Sequence, residues 1–145
     1  MNFPCPVSTL LEWIPHRPPM VWIDRVLSAK DGEGECDLTL KHGALYMKEN
    51  EAHGVAAVEW IAQAYMFVQI AHALGRAPNE KKEVAEAYLV GVTDAKWTQL
   101  PKAGETLKIQ VVRDRTFGPI SIIKGTVRNG TGQDIASASL KVFAR

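Results

Sequence analysis

A single helix, apolar on nearly every side, is predicted at residues 54–75. The run contains no proline and is rich in alanine, the best helix former, and Gly75 is expected to cap its C-terminus. A helix that is apolar all round must be buried. Small side chains along it let a sheet pack closely, namely Ala56, Ala57, Ala62 and Ala64. The run is too polar and too interrupted to span a membrane, so the rest of the chain must cover this helix.

Segments in which polar and apolar residues alternate, or which are rich in β-branched residues, precede and follow the helix in the sequence. They are predicted to form strands that cover it. Strands are predicted at 20–27, 35–40, 84–92, 106–112, 120–127 and 135–143. The proline-rich residues 1–19 are predicted as an irregular arm with one helical turn around 10–13. Because helix and strands are segregated along the chain, the predicted class is α+β, with an antiparallel sheet around one buried helix.

Composition limits the function classes. The chain has 145 residues, 46% hydrophobic and 23% charged, which predicts a single globular domain, residues 1–145. Seventeen basic and sixteen acidic residues leave a net charge of +1, and this small excess disfavours a nucleic-acid-binding protein. No stretch is typical of a membrane span or signal peptide. We therefore expect a cytoplasmic protein.

The cysteines and histidines form no recognisable metal site. Cys5 and Cys36 lie far apart and lack a partner motif, so both are predicted to be free thiols. No HExxH or HxH pattern joins the histidines, which are His16, His42, His53 and His72. Neither a metal nor a diffusible cofactor is expected.

Three blocks of sequence carry a family resemblance. Residues 14–26 are similar to the L-P-H-R-x-P run and following D-R-V of the beta-hydroxyacyl-(acyl carrier protein) dehydratases. Residues 54–64 resemble that family's G-V-x-x-x-E-x-x-A-Q at the start of the central helix. Residues 91–105 are similar to its G-I-x-x-x-R/K-F block and the P-G-D that follows. The resemblance covers most of the chain and implies a hotdog fold, in which a curved sheet wraps the helix.

The resemblance also implies dehydration of 3-hydroxyacyl thioesters to trans-2-enoyl thioesters, in fatty-acid or polyene-type biosynthesis. The substrate would be linked through phosphopantetheine to acyl carrier protein, and hotdog subunits would pair as a homodimer or heterodimer. One element of the family pattern is missing: its G-H-F-P-G-x-P loop has no counterpart, and Leu45 stands where the catalytic histidine belongs. The chain is therefore closer to a divergent, aryl-polyene-type branch, in which some members are thought to partner an active subunit.

The predicted acid is Glu59. Eliminating water requires an acid that protonates the departing hydroxyl and a base that removes the proton next to the carbonyl. Glu59 is a lone carboxyl group among apolar neighbours on the helix, a setting that indicates a site. Gln63 lies four residues on, so it shares the same helix face and is predicted to hold the carboxyl group by a hydrogen bond.

The other predicted site residues lie at or before the start of the helix. Backbone N–H groups of Gly54 and Val55 are predicted to stabilise the charge on the thioester oxygen. The base is predicted to be His53, at the N-terminal edge of the helix, or His42, because a neutral imidazole accepts a proton. His16 is interpreted as structural, with a ring nitrogen tying the proline-rich turn to backbone carbonyls.

Two other functions stay open. An acyl thioesterase on the same fold would use Glu59 to activate water. A non-catalytic partner subunit would complete a heterodimeric dehydratase, and the missing histidine loop supports that reading. A basic rim for an acidic carrier protein is a further possibility, but solvated strand positions are the favoured interpretation of its members, Lys96, Arg113, Arg115 and Lys124.

Overall fold

The computed structural model describes residues 2–76 and 87–144. Within these ranges the chain forms strands β1 to β9, one α-helix (α1), and 3₁₀ turns at Val7–Thr9 and Leu11–Trp13. Their bounds are β1 Cys5–Pro6, β2 Arg25–Lys30, β3 Glu33–Thr39, β4 Met47–Lys48, β5 Glu51–Ala52, α1 Ala56–Arg76, β6 Ala87–Trp97, β7 Thr106–Phe117, β8 Ile120–Arg128 and β9 Asp134–Ala144.

Seven of these strands form one antiparallel sheet in the order β1-β2-β3-β7-β8-β9-β6. The helix packs across this sheet and contacts β2, β3, β6, β7, β8 and β9. Along β7, buried Leu107, Ile109 and Val111 alternate with Lys108 and Gln110, as a sheet with one face on the core requires. The predicted α+β class, with an antiparallel sheet around a long helix, is confirmed.

The core lies between the helix and the inner face of the sheet. Trp60, Ile61 and Phe67 on α1 are fully buried. Gly125 on β8 lies directly beneath Ile61, where a Cβ atom would come within 2.2 Å of Ile61 Cγ2. The absence of a side chain at this glycine therefore sets the distance between helix and sheet.

The strand predicted at 20–27 begins only at Arg25, because the segment before it pairs elsewhere. The backbone N–H of Trp22 donates to the Gln63 side chain on the helix, and the Met20 carbonyl accepts from the same side chain. Residues 20–22 are therefore held by a helix side chain instead of a strand ladder.

Several other boundaries differ from prediction. The helix begins at Ala56, two residues later than predicted, and continues through Arg76. Gly75 therefore lies inside the helix, so its predicted capping role is wrong. Strand β6 runs on to Trp97, while residues 84–86 of the predicted strand lie outside the described residues. In residues 2–76 and 87–144, no helix combines the length and apolar character needed to cross a membrane.

Candidate active site

Glu59 and Gln63 meet on one face of α1, as their spacing predicts. Gln63 Nε2 donates to Glu59 Oε1 at 3.0 Å, which confirms the predicted hydrogen bond. Gln63 is 1% exposed, and it also donates to the Met20 carbonyl at 2.8 Å and accepts from the Trp22 amide at 2.9 Å. Its amide group is thus fixed by three partners and presents one N–H to the carboxyl group.

His16 is the histidine that the fold brings to Glu59. Its Nε2 lies 3.7 Å from Glu59 Oε1. The interpretation of His16 as a tie to backbone carbonyls is wrong, because Arg17 performs that task. Arg17 Nη1 donates to the carbonyls of Leu11, Ile14 and His16 at 2.7–2.9 Å. Sequence reasoning missed the His16–Glu59 contact because residues 43 positions apart show no local pattern.

A cavity of about 490 Å³ runs beside this group. Its helix wall extends from Glu59 to Leu74, roughly 22 Å at the helical rise per residue. His16 and Gln63 line the cavity together with Glu59, and the remaining walls come from the N-terminal arm and the sheet. Most of the lining side chains are apolar, so the cavity suits a long apolar group that approaches a carboxyl group and an imidazole.

A second polar group lines the same cavity further along the helix. Arg113 Nη1 lies 3.4 Å from the Tyr65 hydroxyl, and Arg113 Nη2 lies 3.0 Å from Asp31. The guanidinium of Arg113 lowers the pKa of Asp31 by hydrogen bonding. Of the four residues of the predicted basic rim, Arg113 lines the cavity. Arg115 and Lys124 are exposed on the sheet and lie near Asp114. Lys96 is also exposed.

The remaining predicted site residues do not line this cavity. His42 and His53 are exposed, and the His53 backbone bonds to Tyr46 and Ala56. Gly54 lies against the indole of Trp97, which a Cβ atom would approach to 2.7 Å, and Val55 is exposed. Among the described residues, the N–H groups of Gly54 and Val55 have no hydrogen-bond acceptor. Their roles, and those of the two histidines, stay predictions.

The cysteines are free, as predicted, and both are buried. Burial raises the pKa of the Cys36 thiol, so this group stays protonated. In the part of the chain that the structure describes, histidine, cysteine and acidic residues form no group of three that could hold a metal ion.

Comparison with known proteins gives a consistent result. The family model described as ApeP-like, ApeP dehydratase, matches residues 8–145. The FabZ 3-hydroxyacyl-[acyl-carrier-protein] dehydratase of Rickettsia massiliae is 28% identical over 129 residues, covering 83% of each chain. The enzyme of the same name from an Acidovorax species is 28% identical over 132 residues, covering 86% of this chain and 87% of its own.

Solved structures share the fold. A chain of the dehydratase heterocomplex ApeI:P from Xenorhabdus doucetiae matches with a TM-score of 0.81 at 21% identity, covering all of this chain and 93% of its own. A Streptococcus mutans protein bound to acetyl CoA matches with a TM-score of 0.67 at 16% identity, covering 91% and 95%. These similarities confirm the predicted hotdog fold.

Proposed function

Because the chain belongs to the ApeP-like dehydratase family, we propose that it dehydrates 3-hydroxyacyl thioesters carried on acyl carrier protein. The products are trans-2-enoyl thioesters for fatty-acid or polyene-type biosynthesis in the cytoplasm. The observation that carries this proposal is the position of Glu59, held by Gln63 beside a largely apolar cavity. Such a cavity accommodates an acyl chain while the carboxyl group faces its reacting end.

Glu59 is proposed as the proton-transfer group. In the elimination, the Cα–H bond and the Cβ–O bond of the substrate break, a C=C bond forms, and the hydroxyl leaves as water. Glu59 supplies the proton that the departing hydroxyl needs, a contribution of about 10²- to 10⁴-fold in rate for a well-placed acid. Gln63 fixes the carboxyl group in position through its hydrogen bond to Oε1.

The proposed proton acceptor and oxyanion donors come from the start of the helix. His53 and His42 are the candidate bases, and the Gly54 and Val55 amides are the candidate donors to the thioester oxygen. Both histidines are exposed and lie outside the cavity of their own chain. A role for them at Glu59 therefore calls for a second subunit that places them at the cavity across a shared boundary.

Pairing with another hotdog subunit is part of the proposal. Strand β6 lies at the end of the sheet order, so one of its edges is open. Large apolar side chains are exposed along it, among them Tyr88, Val90, Val92 and Trp97. An open apolar edge strand is a ready site for pairing, and the solved relative from Xenorhabdus doucetiae is itself part of a heterocomplex. The pairing is therefore either with a second copy or with a different hotdog chain.

A second candidate function is that of a non-catalytic partner in a heterodimeric dehydratase. Leu45 stands where the family pattern has its catalytic histidine, and its side chain is 57% exposed. An aliphatic side chain cannot exchange a proton. On this alternative, the chain stabilises or completes a different subunit that contains the histidine loop.

Turnover of a 3-hydroxyacyl-acyl carrier protein tests these functions. The purified chain is measured alone and mixed with a hotdog subunit that has the histidine loop, beside Glu59→Gln and the exposed control Glu12→Gln. We expect Glu59→Gln to lose at least about 100-fold in kcat and Glu12→Gln to keep wild-type activity.

Other outcomes separate the alternatives. Activity of the mixture that Glu59→Gln leaves unchanged would identify the chain as the non-catalytic partner. Release of free acid would identify a thioesterase. Absence of dehydration in both preparations would overturn the dehydratase proposal.

A further inference from the structure

We propose that His16 is a positioning residue for Glu59, which it holds through an Nε2–H group directed at Oε1. This inference rests on the proposed function, in which Glu59 transfers the proton. The two side chains line the same cavity, and their facing atoms are 3.7 Å apart. This separation exceeds a hydrogen bond, but contacts of this kind in unliganded sites shorten when substrate binds.

The surroundings of the ring determine which nitrogen carries the proton. His16 Nδ1 is buried and has no hydrogen-bond partner within the described chain. A buried N–H without an acceptor is more unfavourable than a buried lone pair without a donor. The neutral ring therefore keeps its proton on Nε2, the nitrogen that faces Glu59.

This tautomer makes His16 a donor toward the carboxyl group. To act as a base, the ring would need a free lone pair on Nε2 and hence a proton on the buried Nδ1. That arrangement leaves a donor unpaired, so the environment favours positioning over proton abstraction. His53 and His42 accordingly remain the candidate bases of the proposed function.

His16 and Gln63 act on the same carboxyl oxygen. Gln63 Nε2 donates to Oε1 at 3.0 Å, and His16 Nε2 approaches Oε1 from the N-terminal arm. Because Gln63 donates its hydrogen bond to Oε1, Oε2 is the oxygen that exchanges its proton with the substrate hydroxyl.

The backbone around His16 holds the ring in place. Arg17 Nη1 donates to the carbonyls of Leu11, Ile14 and His16, and Ile14 is 1% exposed. A turn has few other conformations when three of its carbonyls accept hydrogen bonds from one guanidinium nitrogen and its Ile14 side chain is buried. The imidazole is therefore positioned before substrate arrives.

The ring tautomer is the first test and needs no activity. The full chain is labelled with ¹⁵N-histidine, the ring nitrogens are observed by NMR near neutral pH, and the His16 signals are assigned by their loss in His16→Gln. We expect the neutral ring to carry its proton on Nε2. A proton on Nδ1 would overturn the proposal, whether or not the chain dehydrates thioesters.

The kinetic test compares two amide substitutions in whichever assembly is active. Glutamine places an N–H near the position of Nε2, whereas asparagine places one near Nδ1, so only His16→Gln keeps a donor toward Glu59. We expect His16→Asn to lose about 10- to 100-fold in kcat with little change in KM, since misplacing a reacting group by about 1 Å has effects of that size. His16→Gln is expected to stay within about 3-fold of wild type, because the donor is retained.

The remaining outcomes are decisive as well. Equal losses in His16→Gln and His16→Asn, with unchanged thermal unfolding, would make the ring itself an acid or base and overturn the positioning role. Wild-type kcat in both variants would also overturn it. If Glu59→Gln loses dehydratase activity as expected while His16→Asn keeps wild-type kcat, the proposed function stands and this inference fails.

Discussion

At the scale of single residues, Gln63 shows how one buried amide joins distant parts of the chain. Its side chain bonds to Met20 and Trp22 in the segment before β2 and to Glu59 on its own helix. Each buried donor or acceptor left unpaired is unfavourable by about 1–3 kcal/mol. The segment that continues from the His16 turn is thus fastened to the helix that carries Glu59.

Cys36 leads to a prediction on pH dependence. Burial raises the pKa of its thiol in the folded protein, so above about pH 9 the unfolded chain ionises while the folded chain keeps its proton. The unfolded state then binds fewer protons, and the free energy of unfolding falls by up to about 1.4 kcal/mol per pH unit for this group.

Urea unfolding of wild type and Cys36→Ala between pH 8 and about pH 10 measures this effect, since the alanine variant lacks the ionisable thiol. The wild type should lose stability more steeply. Parallel curves for the two proteins would show that Cys36 does not contribute.

At the scale of elements, the distance between helix and sheet depends on two glycines. A Cβ atom at Gly125 would lie 2.2 Å from Ile61 Cγ2. One at Gly34 would lie 2.7 Å from both Val68 methyl groups and closer still to the Ser28 carbonyl oxygen of the neighbouring strand β2. Contacts this short cannot exist, so a side chain at either position must displace the helix, and at Gly34 strand β2 as well. The cavity wall would shift with it, because Glu59 and Leu74 lie on the same helix.

Gly125→Ala should therefore lower the free energy of unfolding by about 1–3 kcal/mol through overpacking. The matched control is Gly130→Ala in the β8–β9 turn, where the nearest atom is 4.0 Å away, and it should be close to neutral.

In an Ile61→Ala background the overpacking has no partner, so Gly125→Ala should be much less destabilising there. Additive effects of Gly125→Ala and Ile61→Ala in urea unfolding would contradict this account.

At the scale of the whole molecule, the β6 edge is where a second subunit is expected. The central residue Val92 is 42% exposed although it pairs with the buried Leu140. An apolar side chain left uncovered on the inner face of an edge strand is typical of a surface that a partner buries.

A lysine at Val92 should weaken this assembly. Placing one unpaired charge in an interface is unfavourable by at least about 2 kcal/mol, or roughly 30-fold in Kd. Size-exclusion chromatography with light scattering should show Val92→Lys shifted toward monomer. The control is Val112→Lys on β7, inside the sheet order and 37% exposed; equal dissociation in both variants would place the interface elsewhere.

The helix, the strands after it and the pairing of Glu59 with Gln63 were predictable from the sequence alone. Their signals are local: an alanine-rich, proline-free apolar run for the helix, alternating polar and apolar residues for the strands, and a spacing of four residues on one helix face. The strand predicted from residue 20 onward was wrong at its start. Residues 20–22 have strand-like composition, but the backbone groups of Met20 and Trp22 form hydrogen bonds with the Gln63 side chain.

Only the tertiary structure decided which histidine meets Glu59. His16 and Glu59 are 43 residues apart, and their approach depends on the Arg17-tied turn and on how the N-terminal arm crosses the helix. His53, six residues from Glu59, is exposed outside the cavity. Proximity along a chain predicts contact only within a helix or a turn; beyond that range, packing of the whole chain determines which side chains meet.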